Sequence, residues 1–206
     1  MGGRAKRALD LLIAVPLLVL LAPVMAAIAL LVRRDSPGPA LFRQGRIGFA
    51  GRPFTLLKFR TMVVGAEGMG AGLAVLAGDD RITPLGHRLR HLSLDELPQL
   101  WNIVRGDMSL VGPRPTVASQ VERYTPLQRR RLLARPGLTG LAQVSGRNSI
   151  PWSERIEIDV RYVDGWTMRR DLAIMLRTAL VVLRREGTYK GPRGGFDLPG
   201  PGAADG

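Results

Sequence analysis

Residues Leu11 to Val32 form a run of 22 residues without a charged side chain. About 20 apolar residues suffice to cross a bilayer as a helix. This run makes the N-terminus a membrane segment. No second uncharged run of that length follows, so the remainder is expected outside the hydrocarbon. Pro16 and Pro23 interrupt the run. Each removes one helical hydrogen bond and can kink the helix. Both flanks are basic, with Arg4, Lys6 and Arg7 before the run and Arg33 and Arg34 after it. Lys and Arg mark the cytoplasmic side of a membrane segment, so these flanks assign no orientation. A spanning helix and a helix that turns near Pro23 and returns to its own side are both consistent with them. A cleaved signal peptide would use the same basic start, with Ala26, Ala27 and Ala29 as a small-residue cleavage site. The apolar run continues past those alanines, beyond an ordinary signal core.

Composition narrows the function classes. The 206 residues include no cysteine, which excludes a disulfide scaffold and Cys-ligated zinc or iron–sulfur sites. His87 and His91 are the only histidines, too few for a His-rich metal site. The net charge is +13, and 27 of the 30 cations are arginine. The expected partner is therefore anionic: a nucleic acid, a phosphorylated small molecule or an acidic membrane surface. Arginine recognises phosphate in a planar, bidentate fashion that lysine lacks, although genomic base composition gives the same bias.

The length suits one modest domain beside the membrane segment. The expected organisation is a membrane segment over residues 1–34, one catalytic domain over 35–186 and a Gly-, Pro- and Ala-rich tail over 187–206. Asp35-Ser-Pro-Gly-Pro39 reads as the turn between the first two. Leu41 to Met62 reads as a β-hairpin turning around Ala50-Gly-Arg-Pro53. Strand alternation then puts Lys58 and Arg60 side by side on one face, either as a phosphate clamp or as a solvated face.

Ser93-Leu-Asp-Glu96 matches a capping box, with Ser93 as N-cap. With Asp95 as N-cap instead, Pro98 costs no hydrogen bond. In either register Asp95 and Glu96 lie at a helix start, where free N–H groups favour anions. The same two acids could simply cap the helix. Gly112-Pro-Arg-Pro115 reads as a rigid turn presenting Arg114, and Arg135-Pro-Gly-Leu-Thr-Gly140 as another rigid loop. Val117 to Ala134 reads as a helix broken at Pro126. The last predicted helix runs from Asp171, as its cap, to Arg185. Its apolar face and flanking arginines suit either an anionic membrane surface or the domain's own core. The fold class expected is α+β and helix-rich, with amphipathic interfacial helices and the hairpin.

Five motifs stand in order: Asp35-Ser-Pro-Gly-Pro39, Lys58-Phe-Arg-Thr-Met62, Ser93-Leu-Asp-Glu-Leu-Pro-Gln-Leu100, Gly106-Asp-Met-Ser-Leu-Val-Gly-Pro-Arg-Pro115 and Arg135-Pro-Gly-Leu-Thr-Gly140. Together they resemble the bacterial sugar transferases, the small monotopic phosphoglycosyl transferases, from the N-terminus to about Glu186. The resemblance implies transfer of a sugar 1-phosphate from a UDP-sugar to undecaprenyl phosphate, with release of UMP. It implies Mg²⁺, a place on the bacterial inner membrane with the site on the cytoplasmic face, and a re-entrant helix broken at a Ser-Pro pair. This chain has Ala22-Pro23 at that break, and Ser145 where the family carries Asn in Gln143-Val-Ser-Gly-Arg147.

Guided by that resemblance, Asp95 is the expected nucleophile. A carboxylate can attack phosphorus and carry the phosphosugar as an acyl phosphate. Glu96 is the expected proton acceptor or metal neighbour. Two adjacent acids suffice for Mg²⁺, which takes few carboxylates plus phosphates and waters. Lys58, Arg60, Arg90, Arg114 and Arg147 are the candidate phosphate ligands, and Asp159 and Asp171 match the family's later acidic positions. The expected partners are the donor, the lipid acceptor, anionic lipid and, as one option, a second copy of the chain, with no nucleic acid. Three other classes compete. A membrane-tethered nucleic-acid binder needs stacking platforms, and aromatics are 5% of the chain. A glycosyltransferase that moves only the sugar would release UDP. A catalytically dead scaffold would not need Asp95, Glu96, Lys58 and Arg114 intact.

Overall fold

The computed structural model describes residues 3–69, 78–146 and 149–184. Helix α1 (Gly3–Asp35) runs through both prolines. Its uncharged stretch carries exposed apolar side chains, among them Leu12, Val19, Leu20 and Leu30, at 57–73% exposure. Both ends of α1 nevertheless pack on the same domain. At the start, Lys6 pairs with Asp171 and Arg7 donates to the carbonyls of Ile103 and Val104. One turn on, buried Asp10 accepts from the Ser109 hydroxyl and the Leu110 N–H, each at 2.9 Å. At the far end, Ile28 and Val32 pack with Phe59 and Leu89. Asp35 accepts from the N–H of Leu85. Lys6, one of the basic flank residues, is therefore a buried partner of the domain rather than a free flanking charge.

The hairpin forms as expected. Strand β1 (Leu41–Ile47) pairs antiparallel with β2 (Pro53–Phe59). The turn takes Ala50 and Gly51 at positive φ. Helix α2 (Pro84–His91) has Thr83 as its N-cap, accepting from the N–H of Gly86, with Pro84 in the first turn. Gly86 lies against the backbone of Thr61: a Cβ there would sit 2.1 Å from the Thr61 carbonyl oxygen. That oxygen already accepts from the N–H of Thr83, so α2 docks on the end of the hairpin only because residue 86 lacks a side chain.

Three local expectations are corrected. The Ser93 capping box is absent, because Ser93 adopts φ +56° and makes no side-chain cap. Asp95 and Glu96 sit instead in a 3₁₀ turn, Leu94–Glu96, that leads into α3 (Gln99–Arg105), with Pro98 as its N-cap. The loop Arg135–Gly140 contains strand β4 (Gly137–Thr139), parallel to β3 (Ser109–Val111). Two separate glycine contacts permit this close pairing, since a Cβ on Gly112 would meet the Arg135 carbonyl and one on Gly137 the Gly112 nitrogen.

Between the strands, Ala118–Val121 (α4) and Pro126–Arg129 (α5) form two short helices split before Pro126, α5 with Thr125 and Gln128 as a capping box. A short α6 (Leu141–Ser145) and the longer α7 (Trp152–Asp164) follow; the sequence reading did not resolve α7. The last helix, α8, begins earlier than expected, at Met168, and ends at Arg184. Its cap is Thr167, which accepts from the N–H of Arg170, so Asp171 is an interior residue. Ile174 on α8 is buried, whereas Leu172, Leu176 and Leu180 form an exposed stripe. The main core joins Ala14 of α1, Leu56 of β2, Leu100 and Ile103 of α3, Leu110 of β3, Tyr162 of α7 and Ile174 of α8.

Candidate active site

Four elements converge beside the start of α3. The turn before α3 supplies Asp95 and Glu96, β2 supplies Lys58, the loop after β3 supplies Arg114, and α2 supplies Arg90. Ser93 makes the convergence possible. Its left-handed conformation, uncommon for a residue with a Cβ, reverses the chain between α2 and the acidic turn.

Glu96 is the electrostatic centre. Its Oε1 accepts from Lys58 Nζ at 2.8 Å and from Arg114 Nη2 at 2.7 Å. Burial pushes its pKa up, but Arg114 and Lys58 together outweigh burial and hold the carboxyl far below the usual range. Glu96 in turn raises the pKa of Arg114. Asp95 is treated differently. It is buried, and Lys58 Nζ stands 3.8 Å from its Oδ2. Among the described residues, no hydrogen bond to its carboxylate is found. Burial pushes its pKa up, and the charge of Glu96 adds to that. Lys58, Arg90 and Arg114 pull in the other direction without winning.

These facts bear on a metal. Among the described residues no group of three His, Cys, Asp or Glu side chains forms a cage. Asp95 has an under-compensated carboxylate, and both hydrogen bonds to Glu96 go to Oε1 and leave Oε2. Two carboxylates with open oxygens fit Mg²⁺, whose remaining ligands are substrate phosphate oxygens and waters.

The other candidate residues fall in several places. Arg90 donates to the Thr61 hydroxyl at 3.3 Å and stands close enough for its charge to act on Asp95. Arg60 does not join Lys58. It is buried and donates to Val32 O, Ser36 O and Pro39 O, stitching the end of α1 to the hairpin. The alternation that predicted a clamp fails because β2 ends at Phe59. Asp159 does not reach the acids either. It pairs with Arg131, both 2% exposed, and Arg131 Nη2 donates to the Arg114 carbonyl at 2.9 Å. Arg131 is also held by the Tyr124 hydroxyl at 2.6 Å and lies over the rings of Tyr124 and Trp152. Asp171 is 1% exposed and binds Lys6, the Tyr162 hydroxyl and Trp166 Nε1, so it anchors α1 to α7 and α8. Pro23 lies within α1, and Arg147 lies outside the described residues.

The sequence reading missed Arg46 and Arg131. Arg46 donates through Nη1 to the Pro115 carbonyl at 3.1 Å, beside Arg114. The hairpin register was the signal that could have found it, since Phe42 pairs with Lys58 and Arg46 with Phe54, and facing residues share one side of the ribbon. No local signal marks Arg131, whose role depends on the distant Asp159.

Comparison with known proteins bears on this site. A family model described as bacterial sugar transferase matches residues 1–185. The chain is 47% identical over 192 residues to a UDP-glucose:undecaprenyl-phosphate glucose-1-phosphate transferase of Caulobacter vibrioides, covering 89% of this chain and 72% of that protein. It is 42% identical over 198 residues to an undecaprenyl-phosphate galactose phosphotransferase of Salmonella typhimurium, covering 89% and 41%. The exopolysaccharide production protein ExoY of Rhizobium meliloti is 41% identical over 202 residues, covering 91% and 89%. The chain therefore spans about two-fifths of the length of some relatives and most of others.

Proposed function

The chain belongs to the bacterial sugar transferases, and on that premise we propose that it moves a sugar 1-phosphate from a UDP-sugar to undecaprenyl phosphate and releases UMP. The observation that carries this reading is the meeting of Asp95, Glu96, Lys58 and Arg114 from three separate parts of the chain. An anionic nucleophile must approach an anionic diphosphate, and the barrier is charge repulsion. Lys58, Arg90 and Arg114 offset that charge from fixed positions. Asp95 and Glu96 would hold Mg²⁺, which when bound neutralises charge on the diphosphate.

In the first step an Oδ of Asp95 attacks the sugar-bearing phosphorus. The bond from that phosphorus to the bridging oxygen breaks, and UMP leaves with the electron pair. In the second step a phosphate oxygen of the lipid attacks the same phosphorus, and Asp95 departs as a carboxylate. Neither step needs a proton when the lipid phosphate arrives ionised. Glu96 is held too acidic to be a good proton acceptor, so its role is to orient Lys58, Arg114 and the cation.

The contacts at both ends of α1 support a re-entrant segment. Lys6 and Asp10 bind the same domain that buries Val32 and binds Asp35, as expected of a segment that returns to its own side. On this reading the site lies at the cytoplasmic face of the inner membrane. The exposed Leu172, Leu176 and Leu180 of α8 suit an anionic bilayer surface, with arginines beside them.

Incubation with UDP-glucose or UDP-galactose and undecaprenyl phosphate is expected to yield UMP and a lipid-linked sugar diphosphate. Release of UDP would favour transfer of the sugar alone and overturn the reading. The pH profile of the acceptor-independent first step supplies a second prediction. Asp95 attacks as a carboxylate, and burial disfavours its ionised form, so its protonation gives the profile an acid limb. Lys58 holds that pKa down, so Lys58→Met is expected to move the acid limb of kcat/KM to higher pH. An unmoved limb would show that Lys58 does not act on the nucleophile.

A further inference from the structure

Arg46 stands at the edge of this cluster with its guanidinium only partly used. Of the five N–H groups of a guanidinium, three are committed among the described residues. Nε and Nη2 donate to Gln44 Oε1, and Nη1 to the Pro115 carbonyl. One N–H on each terminal nitrogen remains. Gln44 is itself engaged by Glu67, so the fork is held in one orientation rather than sweeping through solvent.

Two guanidinium groups, Arg46 and Arg114, thus come from different elements to one loop. Their mutual repulsion is felt: burial and then Arg114 push the pKa of Arg46 down to about 10, against the pull of Glu67, Glu96 and Tyr124. Lys58, Arg90, Arg114 and Arg46 surround only Asp95 and Glu96, while Glu67 reaches Arg46 through Gln44. A bound diphosphate would supply the missing negative charge. Arg46 also shares one side of the hairpin with Lys58, four positions along the register, and both interact electrostatically with Glu96.

We propose that Arg46 is a further ligand of the donor's diphosphate, binding it alongside Arg114. This rests on the transferase reading above. The alternative is that Arg46 only steadies the Pro113–Pro115 loop through the Pro115 carbonyl and acts on substrate through Arg114.

Calorimetric binding of UDP and of uridine to the full-length protein in detergent, with Mg²⁺, separates these. Arg46→Gln is expected to weaken UDP about 10- to 100-fold, the usual size of a charged hydrogen bond, and to leave uridine affinity unchanged. In an Arg114→Gln background, Arg46→Gln is expected still to weaken UDP, by a further factor that differs from the first because the two groups are neighbours. If it adds nothing there, Arg46 acts only through Arg114 and the proposal is overturned. An equal loss for UDP and uridine would also overturn it, because a disturbed fold makes no distinction between them. Wild-type protein that binds no UDP would overturn the transferase reading and this inference with it. Wild-type binding with an unaffected Arg46→Gln variant would overturn this inference alone.

Discussion

Asp95→Asn is expected to abolish UMP release from the UDP-sugar, with or without lipid acceptor, by about 10³-fold or more, as loss of a covalent nucleophile does. The amide keeps the shape of the side chain and removes its capacity to form the acyl phosphate. The variant should remain folded. Asp95 is buried with a raised pKa, so its ionised form is held against an unfavourable environment. Removing that charge is expected to leave the melting temperature unchanged or to raise it. Stability retained with chemistry lost is the signature of a site that holds a reactive group at some cost to the fold. Measuring UMP by chromatography in the absence of acceptor isolates the first step. UMP release at the wild-type rate would show that Asp95 is not the nucleophile.

The second large effect lies behind the site. Asp159→Ala is expected to destabilise the protein by about 3–5 kcal/mol, because it strands the buried Arg131 charge. For a chain of this size that corresponds to a fall in Tm of about 6–20 °C. Arg131 Nε is buried without a partner among the described residues, so little is at hand to absorb the loss. The double change Asp159→Leu with Arg131→Met removes both charges and is expected to recover most of the stability. It should lower kcat/KM, since Arg131→Met removes the hydrogen bond to the Arg114 carbonyl. A single variant that melts with the wild type would show that this pair is solvated. A double variant with full kcat/KM would show that the tether on Arg114 is unimportant.

Much of the local structure was legible. The N-terminal apolar helix announces itself by 22 uncharged residues, and the hairpin by alternation on either side of a Gly-Arg-Pro turn. The acidic pair was legible as a motif, but not its backbone. The capping pattern at Ser93 predicts a helix start, whereas the chain takes a left-handed turn there and caps nothing. Tertiary demand overrides the local preference: the chain must reverse after α2 for Asp95 and Glu96 to meet Lys58. Strand β4 was hidden for a related reason. A three-residue parallel pairing has no periodicity of its own and exists only because β3 lies beside it.

The sequence by itself determined the kinds of groups present: one apolar helix, an Asp-Glu pair, an excess of arginine and no thiol. Those are properties of residue types and spacing, carried by any conformation of the chain. Only the tertiary structure decided which charges do what. Lys58 and Arg60 are two residues apart, yet one binds Glu96 and the other binds backbone carbonyls at the end of α1. Lys6 and Asp171 are 165 residues apart and share a buried hydrogen bond. The physical reason is that the energy of a charge depends on its burial and on its partner within a few ångströms. Those partners come from elements remote in the chain, so composition counts the arginines but packing assigns them.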